Sequence, residues 1–223
     1  MAHLDILSVA QQSPHAPARL RLYKRSGKRV LDLGLALLLL PLILPLVVVL
    51  CVLARQRGAS ALFAHTRIGQ GGKPFVCWKI RTMQPDAEAR LAAHLDANPA
   101  AMREWERTQK LANDPRITPL GRVLRRTSLD ELPQIWNVLR GDMSLVGPRP
   151  VTAPELARYG HNSHIYLDLK PGVTGLWQVT ARADGCYAQR LHLDQLYAQR
   201  IGLLQDLKLI ARTALVILRP TGR

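Results

Sequence analysis

The stretch Leu33–Ala54, LGLALLLLPLILPLVVVLCVLA, limits this chain more than any other feature, because it carries no charge and almost no polarity. As a straight helix it is long enough to cross the hydrocarbon of a bilayer. Two details argue against a plain span. Pro41 and Pro45 sit in its middle, where each removes a backbone hydrogen bond and presses on the preceding turn. Both flanks are basic: Arg19, Arg21, Lys24, Arg25, Lys28 and Arg29 precede the run, and Arg55 and Arg57 follow it. A spanning helix carries its Lys and Arg mainly on one side. Positive charge at both ends therefore points to a segment that enters the membrane, bends at the prolines and leaves by the same face. A single-pass helix with tolerated prolines competes evenly with that reading, since membranes accept Pro in helices. A cleaved signal peptide is not expected: the run starts late, is too long, and has no small-residue cleavage site behind it.

The 223 residues divide into a tail, 1–18, rich in Ala, Gln, Pro and Ser and expected to be disordered; a basic lead-in and membrane segment, 19–58; and a domain, 59–223, large enough for a core of its own. The formal net charge of +15 favours anionic partners: acidic lipid headgroups, nucleic acid or phosphorylated substrates. With two Phe and five Tyr, and no basic run interleaved with aromatics, a nucleic-acid platform is poorly supported. Cys51, Cys77 and Cys186 are isolated, which fits a reducing compartment without disulfides or zinc.

Within the domain, ALFAHTRIG and PFVCWKIRTM read as two strands joined by a turn at Gln70–Lys73. The glycines at 69, 71 and 72 meet neither dinucleotide nor Walker spacing, so they belong to that turn. Residues 85–111 read as helix broken near Asn98–Pro99, 113–119 as a turn, 119–126 as a short basic helix, 128–139 as a second helix and 140–150 as a loop. Residues 154–169 read as helix, 176–180 as a short strand, and 187–218 as helix ending in an amphipathic run. The expected fold is α+β and mainly helical, with a small hairpin or sheet.

Chemistry concentrates in RRTSLDELPQIWNVLRGDMSLVGPRP, residues 125–150. Ser128-x-x-Glu131 fits a capping box, and acids suit a first helical turn. The adjacent carboxylates Asp130 and Glu131 also fit a Mg²⁺ site in which one of them stays available as a nucleophile. Arg149, held between prolines in GPRP, presents a planar cation suited to phosphate. Lys79, Arg81, Arg125, Arg126 and Arg182 are candidates to complete a basic pocket. His161-x-x-His164 lacks an evident third ligand, so surface or packing roles are expected there.

The ordered set KRVLD, RIGQGGKPFVCWKIRTM, DPRIT, GRVLRRTSLDELPQIWNVLRGDMSLVGPRP, LKPGVTGLWQV and DLKLIARTALVIL, from Lys28 to Leu218, resembles the bacterial sugar transferase family, the monotopic phosphoglycosyl transferases. The resemblance implies a re-entrant helix bent at Pro45, with Pro41 an addition and Leu44 where relatives often carry Ser. It implies a cytoplasmic catalytic domain with membrane-associated helices at the bacterial inner membrane, whose anionic leaflet it faces. The implied reaction moves a hexose-1-phosphate from a UDP-sugar, UDP-galactose or UDP-glucose, to undecaprenyl phosphate in exopolysaccharide assembly. By the same resemblance Asp130 is the nucleophile and Glu131 its partner on Mg²⁺. Lys79 and Arg125 match basic positions beside the dyad, and Arg149 and Arg182 match phosphate contacts. Ala181–Arg182 stands where many relatives have Gly-Arg. The chain resembles the short enzymes without a multi-span extension; no nucleic acid is implied, and a homodimer is compatible with the pattern. The alternative is a non-catalytic, basic, membrane-anchored module that binds acidic lipid or nucleic acid, for which Asp130 and Glu131 would be dispensable.

Overall fold

The computed structural model describes residues 22–55, 59–108, 111–180 and 187–218. The apolar run lies in one continuous helix, α1 (Lys28–Ala54), entered through a π-type turn at Tyr23–Gly27. Pro41 and Pro45 are both inside it and both exposed. Spaced four apart, they place their lost hydrogen bonds on one side of the helix. The other side forms a narrow stripe, Asp32, Ala36, Leu40, Ile43, Leu50, Cys51 and Ala54, that packs on the domain. Most of the remaining circumference is bare hydrocarbon, with Leu38 73% and Leu42 70% exposed.

Polar bonds dock the first turns of α1. Lys28 Nζ donates to Asp206 Oδ2 (2.6 Å) and to the Tyr197 hydroxyl (3.0 Å), while the Tyr23 and Tyr197 hydroxyls donate to the two Asp206 oxygens (2.6 and 2.9 Å). Asp206 is fully buried. Burial, together with the Asp206 charge, pushes the Tyr23 and Tyr197 hydroxyls above the usual tyrosine range, so both remain donors. Asp32 accepts from Ser144 Oγ (3.0 Å) and the Leu145 amide (2.9 Å).

As the alternating pattern requires, β1 (Leu62–Ile68) and β2 (Pro74–Ile80) form an antiparallel hairpin with Phe63 opposite Lys79, His65 opposite Cys77 and Arg67 opposite Phe75. Its turn contains a 3-10 segment, Gln70–Gly72. Next come α2 (Ala87–Ala97) and α3 (Pro99–Thr108), separated at Asn98 as expected. Thr118 accepts from the Gly121 amide and Pro119 follows, so α4 (Pro119–Thr127) starts with a side-chain cap and a proline already helical in φ.

The helix expected over 128–139 is divided. A 3-10 turn, Leu129–Glu131, precedes α5 (Gln134–Arg140), because Pro133 has no amide hydrogen with which to carry a helical ladder across. Arg29 donates to the Val138 and Leu139 carbonyls (2.5 and 2.8 Å) and so caps the C-terminus of α5 with a cation from α1. Asn137, fully buried, accepts from the Trp78 amide (3.2 Å) and donates to the Val76 carbonyl (2.7 Å). Its side-chain amide thus occupies the open edge of β2 as a third strand would.

Two expectations are corrected. The loop at 140–150 contains β3 (Ser144–Val146), paired in parallel with β4 (Gly172–Thr174). Residues 176–180 are not a strand but a single helical turn, α8 (Leu176–Thr180); pairing ends at Thr174, beyond which the chain has no neighbouring strand. Between β3 and β4 lie α6 (Ala153–Ala157), a 3-10 turn at Gly160–Asn162 and α7 (Ser163–Leu167). After 187 come α9 (Tyr187–Arg200) and α10 (Leu203–Leu218). The architecture is mainly helical with two small sheets. The tail expected over 1–18 and Cys186 lie outside the described residues.

Asp206→Leu strips the fully buried carboxylate from Lys28 and two hydroxyls, and is expected to cost about 3 kcal/mol. The companion Lys28→Met/Asp206→Leu is expected to recover part of that. Thermal melts of the detergent-solubilised protein check both; equal melting temperatures for the Asp206→Leu variant and the parent would refute the hub.

Candidate active site

The dyad is presented by a sharp reversal at the end of α4. Ser128 has φ 59°, the one positive value at a non-glycine position among the described residues. Holding serine there costs on the order of 1 kcal/mol. Its amide closes α4 on the Arg125 and Leu124 carbonyls, and the chain turns at once into the Leu129–Glu131 segment against β2. The capping box expected at Ser128-x-x-Glu131 therefore does not form. Ser128 Oγ is buried without a hydrogen-bond partner, and the Glu131 carboxylate goes instead to a lysine. A full cation outbids a backbone amide for a carboxylate.

Lys79 Nζ lies 2.7 Å from Glu131 Oε1, and Arg149 Nη1 lies 3.8 Å from the same oxygen. Arg125 donates through Nε to Thr82 Oγ1 (2.8 Å). Asp130 differs from its neighbour. Only 8% exposed, it forms no ion pair and no hydrogen bond to another residue's side chain among the described residues, while its own amide favours its charge. Burial raises its carboxyl above the usual range; nearby Lys79 opposes the rise, Glu131 adds to it and Arg125 opposes it. Among the described residues the structure thus keeps one carboxylate in direct ion pairs and one buried without any, acted on by Lys79 and Arg125 from a distance.

A small, open cavity lies beside the dyad, lined by Lys79, Glu131, Arg149, Arg67, Gln134 and Gln178 among others. Glu131 lies on its lining, and Asp130 lies one residue behind it. Of the residues singled out in the sequence, Lys79, Glu131 and Arg149 meet in this cavity, with Arg125 joining them electrostatically at Asp130. Arg182 lies outside the described residues. Arg81 is drawn off to the Ser60 carbonyl (2.7 Å) and the Phe63 ring, and Arg126 is exposed on α4; neither lines the cavity. His164 Nδ1 is engaged by the His161 carbonyl (2.8 Å), and no group of three His, Cys, Asp or Glu side chains with metal-binding geometry occurs among the described residues.

Adjacent carboxylates, one buried without a direct ion pair among the described residues, are a donor set suited to Mg²⁺, which takes hard oxygens from one or two carboxylates and completes its shell with water and phosphate. The fit lies in that oxygen chemistry rather than in a closed protein cage.

Arg67, Gln134 and Gln178 were not singled out from the sequence. For Arg67 a signal existed: alternation in LFAHTRI and PFVCWKI puts Arg67, Cys77 and Lys79 on one face of the hairpin. The glutamines carried none, since α8 and β4 bring Gln178 to the cavity only after the chain has folded.

A protein-family model described as "Bacterial sugar transferase" matches residues 23–220. The chain is 45% identical to an undecaprenyl-phosphate galactose phosphotransferase of Salmonella typhimurium over 90% of its own length and 43% of that protein's. It is 44% identical to the exopolysaccharide production protein ExoY of Sinorhizobium fredii, over 84% of this chain and 83% of that one. A UDP-glucose:undecaprenyl-phosphate glucose-1-phosphate transferase of Caulobacter vibrioides is 38% identical over 83% of this chain and 67% of its own. The chain thus spans less than half the length of its Salmonella relative and most of the length of ExoY. A match running through the dyad, the GPRP loop and the helices on either side places this chain in the bacterial sugar transferase family.

Proposed function

We propose that the chain transfers a hexose-1-phosphate from UDP-galactose or UDP-glucose to undecaprenyl phosphate, as an early step of exopolysaccharide assembly. The observation that carries this reading is the buried Asp130 carboxylate, without a direct ion pair among the described residues, next to a cavity lined by three cations. The relatives named above, one for galactose phosphate and one for glucose-1-phosphate, support the reaction class and leave the sugar undecided between the two.

In the proposed chemistry an Asp130 oxygen attacks the phosphorus that bears the sugar. A new bond forms from the carboxylate to that phosphorus, and the bond to the bridging oxygen breaks, its electron pair leaving with UMP. A phosphate oxygen of the lipid then attacks the same phosphorus and releases Asp130 unchanged. An ionised carboxylate needs no general base for this; it needs its charge screened from the phosphates. Lys79, Arg149 and Arg67 face the diphosphate, and Arg125 approaches from the Asp130 side. Glu131, held by Lys79 and Arg149, is the poorer nucleophile because its charge is already spent on cations. Asp130 and Glu131 would hold Mg²⁺, which when bound supplies further charge neutralisation at the phosphates.

The acceptor is a lipid, so the nucleophile has to stand at headgroup height. The proposed topology is re-entrant, with the catalytic domain on the cytoplasmic side of the inner membrane. Its support is that α1 touches the same domain near both ends, through Lys28, Arg29 and Asp32 at one and through Leu50 and Ala54 at the other. A helix crossing to the far side would leave one end without that domain. The basic flanks agree.

Three outcomes are expected. The isolated protein with Mg²⁺ releases UMP from a UDP-sugar before acceptor is added, up to one equivalent; Asp130→Asn abolishes this, and mass spectrometry finds the trapped phosphosugar on Asp130. An adduct on Glu131, or UMP release only with acceptor present, would overturn the scheme.

A raised Asp130 pKa means protonation begins above the usual carboxylate range, near 4, so the acid limb of the rate profile falls earlier than for an ordinary aspartate. The same shift acts on stability. The fold disfavours the ionised form, so stability declines as pH rises through the interval from the unfolded to the folded pKa. At pH 7 Asp130→Asn should therefore melt a few degrees higher than the parent, a gain that disappears below that interval.

Cysteines placed at positions 5 and 60 are expected to react with an impermeant thiol reagent from one side of the membrane only, the same side for both; opposite-side labelling would replace the re-entrant form with a single pass.

A further inference from the structure

Arg149 reaches the cavity with a side chain that is 42% exposed and whose nearest acid, Glu131, is 3.8 Å away. So loose a side chain takes its direction from its backbone. That backbone is pinned almost residue by residue. The Gly147 amide donates to the Thr174 carbonyl (2.8 Å) and the Gly172 amide to the Pro148 carbonyl (2.8 Å). Gly147 and Gly172 approach so closely that a Cβ on Gly172 would lie 2.1 Å from the Gly147 nitrogen. Pro148 and Pro150 fix φ on either side of Arg149. The Val151 amide donates to the Tyr166 hydroxyl (3.2 Å), and its carbonyl accepts from the Ile68 amide (2.9 Å).

The carbonyl of Arg149 itself is held by a buried cation. Arg190, on the second turn of α9 and 7% exposed, donates through Nη2 to the Arg149 oxygen at 2.8 Å. Its Nη1 lies 3.9 Å from Glu155 and its Nε 3.9 Å from Asp194, while the Tyr187 ring packs 5.8 Å from the guanidinium. Nε makes no hydrogen bond. The other acceptors are already engaged: Glu155 by Arg67 (2.8 Å) and by Thr152, Asp194 by the Tyr159 hydroxyl (2.8 Å). Asp194 is pushed up to about 6, mainly by burial, so it is an imperfect counter-ion. Burying a guanidinium costs several kcal/mol unless it is well paired. Among the described residues the one short bond that Arg190 makes is to the peptide carrying Arg149. A device built only for stability would place an apolar side chain at this position.

We infer that Arg190 is a positioning residue: by bonding the Arg149 carbonyl it fixes the direction in which the Arg149 guanidinium meets the donor's phosphates. The inference rests on the phosphoglycosyl transfer proposed above. Glu155 links the same arrangement to Arg67, so two of the cations lining the cavity share one buried support.

The test is a double-mutant cycle between Arg190 and Arg149, read as kcat/KM for UMP release with UDP-galactose and UDP-glucose. Arg190→Gln/Asp194→Asn removes both buried charges together, which guards against unfolding from an orphaned carboxylate; Arg190→Gln alone is the second variant. Thermal melts establish which variants are folded. Loss of Arg190 is expected to lower kcat/KM about 10- to 100-fold in the parent and by less than about 3-fold in an Arg149→Ala background, because it acts through Arg149. Amide hydrogen exchange at Gly147, Arg149 and Val151 in the full chain should quicken about 10-fold while the α1 amides hold their rates. Equal fold-losses in both backgrounds, or unchanged exchange across 147–151 in a folded variant, would overturn the inference. A parent that releases UMP from neither sugar would instead overturn the proposed function, and the exchange rates would still decide whether Arg190 holds the loop.

Discussion

A helix that is apolar over nearly its whole circumference gains little by burying one more stripe of itself, so its attachment to a polar domain depends on the few polar residues at its start. Lys28, Arg29 and Asp32 occupy just over one turn, yet they reach α10, α5 and β3 respectively. Each bond answers a need in the domain: a buried carboxylate, the bare carbonyls of a helix end, and the amide and hydroxyl at the start of a short strand. Those three elements carry or support the dyad and the GPRP loop. Helix and site thus share one frame, and the height of α1 in a bilayer sets the height of the chemistry.

The site divides its charges unequally. Glu131 draws Lys79 and Arg149 towards itself and keeps the cavity cationic without leaving its cations idle. Asp130 has no direct ion pair among the described residues, and burial outweighs the relief that Lys79 and Arg125 give it from a distance. Ser128 bears a related cost in its backbone, and its strain sits directly before the dyad.

Much of this was legible along the chain. The hairpin, the break at Asn98 and the helical character of 187–218 follow from local rules: alternation, a proline at a helix start, and helical periodicity; the parting of that last stretch at Ile201–Gly202 was not read from them. The density of charged residues around Asp130 and Arg149 marked the candidate site. Local rules misled where a side chain had a stronger distant partner. Ser128-x-x-Glu131 has the spacing of a capping box, but Lys79 lies more than fifty positions earlier in the chain and still takes the carboxylate. Leu176–Thr180 has the composition of a strand, and lacking a neighbour to pair with it winds into a turn of helix. Nothing local could assign Asn137 to the edge of β2 or Arg190 to the Arg149 carbonyl.

By itself the sequence determined the membrane-seeking character of α1, the basic surface and the residues able to handle phosphate, because each depends on side-chain chemistry or on periods of two to four residues. Only the tertiary structure decided which acid would sit in direct ion pairs and which would be buried without one among the described residues, which arginines would face the cavity and which would turn to other partners, and that both ends of α1 would rest on one domain. These outcomes depend on competition among groups far apart in the chain, and such competition has no energy until folding brings the groups within a few ångströms of each other.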